Sequence, residues 1–234
     1  MVNVAINGFG RIGRMVFRAA FKDPKINIIA INDLTDTKTL AYLLQHDSLQ
    51  GSFSEQVSFD EHNLIISNKK IQVLAEKDPT KLPWKRLNID VVVESTGRFT
   101  QPEDTALHLQ AGAKKVLLSA PSKCDKNVCP INTTTLVFGV NHHLYNPKVH
   151  TIISNASCTT NCVAPVLKVL EDSIGIKQCT FTTIHAYTAD QNLVDGPHKD
   201  LRRARAAATN IIPTTSGADI AVVQAIPSLQ NKVR

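Results

Sequence analysis

The feature that most constrains the fold of this chain is a glycine-rich turn near its start. Gly8, Gly10 and Gly13 form the pattern Gly-x-Gly-x-x-Gly between an alternating apolar stretch, residues 2–7, and a helical pattern, residues 11–21. The first glycine of such a pattern permits a tight turn, the second lets a pyrophosphate approach the backbone, and the third lets the helix pack close to the strand. The pattern therefore predicts the first β-α unit of a dinucleotide-binding sheet.

An acidic residue lies at the distance that this pattern requires. Asp33 follows Gly13 by twenty positions and comes just after a second apolar stretch, residues 26–31. A carboxylate at that place accepts hydrogen bonds from the ribose hydroxyls of the adenosine and repels a 2′-phosphate. We therefore expect the cofactor to be NAD rather than NADP.

The order of the predicted elements indicates an α/β fold, a Rossmann-type doubly wound parallel sheet, over residues 1–153. Strands are predicted at 2–7, 26–31, 89–94, 116–119 and 151–154, helices at 11–21, 37–45 and 102–110, and an antiparallel excursion at 55–75. A ligand-facing turn is expected at residues 95–97, where a buried parallel strand ends.

The second region, residues 154–234, is predicted to be a truncated α+β catalytic domain. Its pattern predicts a helix at 158–173, a strand at 178–185 and a helix from 216 to 225, separated by a long irregular segment. So few elements bury little surface, which makes this region small for a domain.

A second motif surrounds Cys158. Small, polar and hydroxyl-bearing residues at 154–161 lead into an apolar helical run at 163–170. A thiol at a helix N-terminus lies at the positive end of the macrodipole, which favours the thiolate, and the adjacent hydroxyl and backbone N–H groups can hold an anion. A buried structural cysteine is the ordinary alternative. Together with the dinucleotide motif, the pattern favours a cysteine nucleophile that acts on a phosphorylated substrate.

His185 is the candidate base. It ends the predicted strand 178–185 and stands beside Tyr187 and Thr188. A histidine taken alone is more often a core or surface residue with hydrogen-bonded ring nitrogens and no catalytic role. Its imidazole ring can nevertheless exchange protons near neutral pH. Paired with Cys158 across a domain cleft, His185 would act as general base.

Composition narrows the class of protein. The chain has five cysteines, an odd number, and their spacing is not that of a disulfide framework, which predicts a reducing, cytoplasmic setting. No apolar stretch reaches membrane-spanning length. The formal charge of +6 fits anionic metabolites.

The basic cluster at 199–205 lacks interleaved aromatic residues, so we expect a solvated or interface loop and no specific nucleic acid. Cys124 and Cys129 have no evident second Cys/His pair, so we expect a surface loop and no metal.

Seven segments together resemble the phosphorylating glyceraldehyde-3-phosphate dehydrogenases of bacterial type, from residue 2 to about residue 233. They are INGFGRIGR, NDLTD, ESTGRFT, SNASCTTNC, HAYTADQ, HKDLRRAR and NIIPTTSGA. The resemblance implies oxidation of glyceraldehyde 3-phosphate by NAD⁺ and inorganic phosphate to 1,3-bisphosphoglycerate, usually by a homotetramer.

The resemblance also assigns roles to individual residues. Cys158 matches the nucleophile, which forms a thiohemiacetal and then a thioester, and His185 matches the base. The residues that match phosphate or substrate contacts are Ser157, Thr159, Thr188, Ser216 and Gly217. Those that match cofactor contacts are Gly8, Gly10, Arg11, Ile12, Gly13, Asp33, Lys77 and Ser119.

Three departures from the family pattern leave alternatives open. The family runs roughly a hundred residues further, and that part carries an anion-binding arginine. The segment 122–132 is a few residues longer than in most relatives, and Gly196 replaces a bulky residue that faces the adenosine in strict NAD enzymes, which leaves room for NADP. The alternatives are a non-catalytic NAD-binding remnant of the enzyme and an erythrose-4-phosphate dehydrogenase.

Overall fold

The computed structural model describes residues 1–124 and 129–233. The chain divides into two compact units, Met1–Ser157 and Cys158–Arg234. Each unit is described below by itself.

The first unit is built around one mixed sheet, which has nine strands in the described residues. In chain order these are β1 (Val2–Asn7), β2 (Ile26–Asn32), β3 (Val57–Phe59), β4 (Asn63–Ile66), β5 (Lys69–Leu74), β6 (Val91–Glu94), β7 (Lys115–Leu118), β8 (Thr133–Thr135) and β9 (Ile152–Ser154). Their spatial order is β3-β4-β5-β2-β1-β6-β7-β9-β8. The helices of this unit are α1 (Arg11–Ala20), α2 (Thr37–Gln45), α3 (Pro102–Thr105) and α4 (Leu107–Gln110).

The pairing of the strands is that of a doubly wound dinucleotide-binding sheet. Strand β1 lies parallel to β2 and to β6, and β6, β7 and β9 continue in parallel. Only β3, β4 and β5 pair in antiparallel fashion, at the edge beyond β2. The predicted α/β class with an antiparallel excursion is therefore confirmed.

Both faces of the central strands are buried, which explains their nearly continuous apolar sequences. One face packs on α1 and α2 through Ile6, Phe17 and Leu44, all fully buried. The other face packs around Trp84 and Val92, which are also fully buried. In β1, β2 and β6 the buried polar residues are Asn7, Asn32 and Glu94, and each is the last residue of its strand.

The helix predicted at 102–110 is wrong as a single element, because it divides into α3 and α4. The Thr105 hydroxyl lies 2.8 Å from the carbonyl oxygens of both Phe99 and Gln101 and shares its one hydrogen between them. Such back-bonding by a threonine to the preceding turn bends a helix. Strand β8 was not predicted, since its three threonines show no apolar alternation.

The second unit contains two α-helices in its described part, α5 (Cys158–Ile174) and α6 (Ala218–Ala225), which pack against each other. The strand predicted at 178–185 is not formed, and its single bridge joins Cys179 to Val233. Alternation records which side chains share a face, but a strand exists only where a neighbour pairs with its N–H and C=O groups. Across the described ranges, no helix combines the length and the apolar character that crossing a membrane requires.

The cysteine prediction is wrong in one respect. Cys124 and Cys129 form a disulfide with their Cα atoms 4.9 Å apart. Sequence spacing does not reveal whether a loop turns back far enough to bring two Cα atoms within bonding range. The surface loop expected at 122–132 lies partly outside the described residues, and the described ones hold no group of three or more metal-ligating side chains.

Candidate active site

The glycine-rich turn is shaped by close backbone contacts. Gly8 has φ +90°, and a Cβ atom on it would lie 2.7 Å from the Thr96 nitrogen. A Cβ atom on Gly13 would lie 2.1 Å from the Gly8 carbonyl oxygen, whereas one on Gly10 would meet nothing within 4 Å. The first and third glycines therefore let backbone segments touch, and the second faces open space.

Asp33 is held directly against this turn. Its carboxylate accepts hydrogen bonds from the Phe9 N–H at 2.7 Å and from the Thr35 N–H at 3.0 Å. Both bonds orient the carboxylate at the carboxyl end of β2, on the edge of a parallel sheet where ligands bind.

A cavity of about 290 Å³ opens at this edge. The residues that line it are Asn7, Gly8, Gly10, Asn32, Asp33, Leu34, Glu76, Lys77, Ser95, Thr96, Arg98 and Phe99. The structure thus brings together four of the predicted cofactor residues: Gly8, Gly10, Asp33 and Lys77. The expected ligand-facing turn at 95–97 contributes Ser95 and Thr96 to the same wall.

The other four predicted cofactor residues, Arg11, Ile12, Gly13 and Ser119, do not line this cavity. Arg11 and Ile12 stand in the first turn of α1, and Arg11 forms an ion pair with Asp47. Ser119 follows β7, where its N–H donates to the Glu94 carbonyl oxygen at 3.0 Å.

Sequence reasoning missed several of the lining residues, and some left a signal. Arg98 and Phe99 follow the expected ligand-facing turn directly, so extending that turn by two residues would have found them. Asn7 and Asn32 are polar residues that end the apolar strands β1 and β2. An amide at the carboxyl end of a parallel strand points to the ligand edge of the sheet.

In the second unit, Cys158 is the first residue of α5 and is exposed. Its Sγ atom lies 3.2 Å from the Nε2 atom of His185. The Nδ1 atom of His185 lies 2.6 Å from the Ala186 carbonyl oxygen, which can only accept a hydrogen bond. The ring therefore carries a proton on Nδ1 and turns Nε2 toward the sulfur.

The two side chains shift each other's protonation in opposite directions. Partial burial opposes ionisation of the thiol, yet the hydrogen bond and charge of His185 and the bonds from Thr159 lower the pKa of Cys158 overall. The pKa of His185 is raised by its bond to the Ala186 carbonyl and by Cys158. The helix N-terminus also favours a thiolate. The pair is thus arranged to share one proton, which gives a nucleophile beside an acid–base group.

The other predicted anion-binding residues lie on three segments. Thr159 is in the first turn of α5 and hydrogen-bonds to Cys158, and Ser157 directly precedes the cysteine. The backbone N–H of Thr188 donates a hydrogen bond to Gln191 Oε1 at 3.0 Å. Ser216 Oγ accepts from the Ala218 N–H at 3.2 Å at the start of α6, which Gly217 caps. The described contacts therefore tie Thr159 and His185 to Cys158, and they tie Thr188, Ser216 and Gly217 to their own neighbours.

Comparison with known proteins places both units in one family. Residues 2–102 match the family profile described as glyceraldehyde 3-phosphate dehydrogenase, NAD binding domain, and residues 157–234 match the C-terminal domain of the same family. The chain is 56% identical over 232 residues to glyceraldehyde-3-phosphate dehydrogenase of Geobacillus stearothermophilus, which covers 99% of this chain and 67% of the relative. It is 53% identical to glyceraldehyde-3-phosphate dehydrogenase 1 of Bacillus subtilis (strain 168), with the same coverage.

A third relative, from Thermotoga maritima, is 56% identical over 224 residues, which cover 95% of this chain and 65% of that protein. The chain therefore spans about two thirds of the length of these relatives. The matched N-terminal domain is an NAD-binding domain, and the match includes the glycine-rich turn and Asp33. On these grounds, the chain belongs to the glyceraldehyde-3-phosphate dehydrogenase family of NAD-dependent oxidoreductases.

Proposed function

We propose that this chain carries out the NAD-dependent oxidation and phosphorylation of glyceraldehyde 3-phosphate to 1,3-bisphosphoglycerate, with Cys158 as nucleophile and His185 as acid–base group. The observation that carries the proposal is the 3.2 Å approach of Cys158 Sγ to His185 Nε2 at the N-terminus of α5. The family membership supports the reaction class, since the relatives carry the name of this dehydrogenase.

The first step is attack of the Cys158 thiolate on the aldehyde carbon. The lowered pKa of Cys158 increases the fraction of the sulfur that is in its nucleophilic thiolate form. A carbon–sulfur bond forms, the carbonyl π bond breaks, and the oxygen takes a proton from His185 Nε2 to give a thiohemiacetal.

The second step is oxidation of that intermediate. When bound, NAD supplies the hydride acceptor for this reaction. His185 Nε2 takes back the hydroxyl proton as the hydride leaves carbon, which leaves an acyl thioester on Cys158. The bond from Nδ1 to the Ala186 carbonyl holds the ring so that Nε2 remains the proton-exchanging atom.

The third step is attack of inorganic phosphate on the thioester carbon. The phosphate oxygen forms the new bond, the carbon–sulfur bond breaks, and Cys158 leaves as thiolate, so the product is an acyl phosphate. We propose that Ser157, Thr159, Thr188, Ser216 and Gly217 supply the hydroxyl and backbone donors for the two phosphate groups. The position of Thr159 supports the assignment, because it lies in the first turn of α5, where backbone N–H groups and the helix dipole favour anions.

The residues of the first unit fit the cofactor. Gly10 leaves space for a pyrophosphate, Asp33 offers a carboxylate to the adenosine ribose, and the remaining glycines shape the turn. We propose that Gly8, Gly10, Arg11, Ile12, Gly13, Asp33, Lys77 and Ser119 hold NAD.

The test is NADH formation by the purified 234-residue chain with NAD⁺ and glyceraldehyde 3-phosphate, with and without phosphate. We expect phosphate-dependent turnover that Cys158→Ser abolishes. Cys162→Ser is the matched control, because Cys162 is a second exposed cysteine on the same helix and should be dispensable. NAD binding without turnover would favour a non-catalytic NAD-binding protein instead. Faster turnover with erythrose 4-phosphate would favour the other dehydrogenase class.

We further propose a homotetramer in the cytoplasm. Three large apolar side chains of the 188–213 segment support assembly, since Leu193, Val194 and Leu201 are each more than two thirds exposed. Light scattering over a range of concentrations tests the tetramer, and a monomer at every concentration would contradict it. Fractionation of cells with an antibody against the chain tests the location.

A further inference from the structure

A chain of buried side-chain hydrogen bonds runs beneath the NAD cavity and takes no part in the chemistry above. We call it the Glu94 network. Its members are Trp84, His108, Glu94, Asn7 and Asn32, all buried, and Glu94, His108 and Trp84 have no exposed surface. The network joins the carboxyl ends of β1, β2 and β6.

The donors in this network have a defined direction. Trp84 Nε1 lies 3.0 Å from His108 Nδ1, and an indole N–H can only donate. His108 Nδ1 is therefore an acceptor without a proton, so the ring is neutral and its proton is on Nε2. That N–H donates to Glu94 Oε2 at 2.9 Å.

The other branch reaches the same oxygen. The Glu76 N–H donates to Asn32 Oδ1 at 2.8 Å, which fixes the orientation of the Asn32 amide. Asn32 Nδ2 then donates to Asn7 Oδ1 at 2.7 Å, and Asn7 Nδ2 donates to Glu94 Oε2 at 2.6 Å. Two independent chains of donors thus end on one carboxylate oxygen of Glu94.

The second carboxylate oxygen holds the wall of the cavity. Glu94 Oε1 accepts the Thr96 N–H at 2.8 Å and the Thr96 hydroxyl at 2.5 Å. Glu94 therefore accepts four hydrogen bonds, which satisfies an ionised carboxylate away from water.

The position of this wall also sets the glycine-rich turn. The Ser95 hydroxyl donates to the Gly8 carbonyl oxygen at 2.7 Å, and the Gly8 Cα lies against the backbone of residues 95 and 96. A shift of Thr96 therefore moves two walls of the cavity that contains Asp33.

We propose that Glu94 is a positioning residue for the adenosine half of NAD. It acts through Thr96 and the Gly8 turn, with His108 and Asn7 as the donors that lock its carboxylate. The inference rests on the NAD site proposed above.

The decisive variant is Glu94→Gln, which keeps the size of the side chain and replaces one oxygen by an NH₂ group. That NH₂ must face either the His108 and Asn7 donors or the Thr96 donors. His108 Nε2 cannot become an acceptor for this NH₂ group by moving its proton to Nδ1, because the Trp84 indole N–H already donates to Nδ1. A buried clash of donors moves the turn, so affinity for NAD and for ADP-ribose should both fall about tenfold.

The matched control is Asp90→Asn, at the residue that directly precedes β6, whose last residue is Glu94. Asp90 Oδ2 accepts the Asn3 N–H at 2.8 Å, so this variant also removes a carboxylate that holds β1 against β6. Asp90 does not line the cavity. Its affinity for ADP-ribose should remain within about twofold of wild type, even if its stability falls.

A second pair of variants decides the question if Glu94→Gln does not fold. His108→Gln keeps an acceptor for Trp84 and a donor for Glu94, and His108→Leu keeps neither. His108 does not line the cavity, but its ring contacts Phe99, which does. Both variants lose that ring contact, so a difference in affinity between them reports on the hydrogen bond to Glu94. We expect affinity near wild type for glutamine and a loss of about threefold or more for leucine.

Affinity is measured by calorimetric titration of ADP-ribose at a temperature where urea unfolding shows each variant to be folded. Equal affinity of wild type and Glu94→Gln, or equal affinity of the two His108 variants, would overturn the proposal. A weakening in Asp90→Asn as large as in Glu94→Gln would also overturn it, because it would indicate general loosening of the sheet. If wild type itself bound neither NAD nor ADP-ribose, the NAD site would fail first, and that result is distinct from the others.

Discussion

Replacing Gly13 by alanine should separate the packing role of the glycine-rich turn from its ligand role. A Cβ atom at Gly13 would lie 2.1 Å from the Gly8 carbonyl oxygen and 3.1 Å from Ile6 Cγ2 and Ser95 Oγ. Ordinary contact begins near 3.4 Å, so α1 or the Gly8 peptide must move by about 1.3 Å. The nearest obstacle is backbone, which cannot rotate away as a side-chain end would.

The expected magnitude follows from two opposed effects. Overpacking of a tight site costs about 3 kcal/mol when backbone has to shift. Alanine inside a helix regains about 1 kcal/mol over glycine. We therefore expect Gly13→Ala to lower the free energy of unfolding by about 2 kcal/mol.

The assay is urea unfolding followed by tryptophan fluorescence. The chain has one tryptophan, and Trp84 is fully buried in the first unit, so its emission reports on that unit. The control is Gly10→Ala, whose Cβ meets nothing within 4 Å. It should cost less than about 1 kcal/mol through the helix cap, yet it should weaken NAD binding because the methyl group fills the pyrophosphate approach. A Gly13→Ala protein within about 0.5 kcal/mol of wild type would refute this reasoning.

Two further predictions concern protonation. The pKa of Asp47 is held well below its usual range by the Gln50 N–H and by the Arg11 guanidinium. A lowered pKa in the folded state adds stability above the unfolded value of about 3.9, and that stability is lost as the pH falls below it. The excess stability of wild type over Asp47→Asn should therefore shrink between pH of about 6 and about 2 in urea unfolding, and a constant difference would contradict the argument. At the second site, His185→Asn should move the pH midpoint for alkylation of Cys158 by iodoacetamide upward, since the bond that lowers the cysteine pKa is lost. An unchanged midpoint, measured on the Cys158 peptide by mass spectrometry, would show that His185 does not set that pKa.

Much of the first unit could be predicted because its signals are local. The apolar runs that form β1, β2 and β6 are buried on both faces, so composition alone marks them as strands. The glycine spacing with Asp33 is a local code for a turn whose backbone must touch two neighbours, and the structure shows those contacts at Gly8 and Gly13.

The parts that escaped prediction depend on partners distant in the sequence. The alternation at 178–185 describes side chains, but only Cys179 finds a paired neighbour, at Val233. The contact between Glu94 and His108 joins two residues whose individual positions give no sign of each other.

In the candidate site, too, local sequence patterns predict one residue well and leave the contacts of another undetermined. The sequence predicts the position of Cys158 because hydroxyl-rich residues precede an apolar helical run, a pattern that places a thiol at a helix N-terminus. For His185 the sequence gives only a residue type and a neighbourhood. Its ring orientation comes from the Ala186 carbonyl, which no residue pattern encodes.

Mass spectrometry of the acyl-enzyme shows directly which cysteine attacks the aldehyde. The chain is mixed with NAD⁺ and glyceraldehyde 3-phosphate in the absence of inorganic phosphate and quenched in acid. We expect one thioester adduct per chain, located on the Cys158 peptide, which disappears when phosphate is added before the quench. An adduct on Cys162 or Cys179 instead, or no adduct in a chain that binds NAD, would contradict the claim that Cys158 and His185 form the catalytic pair.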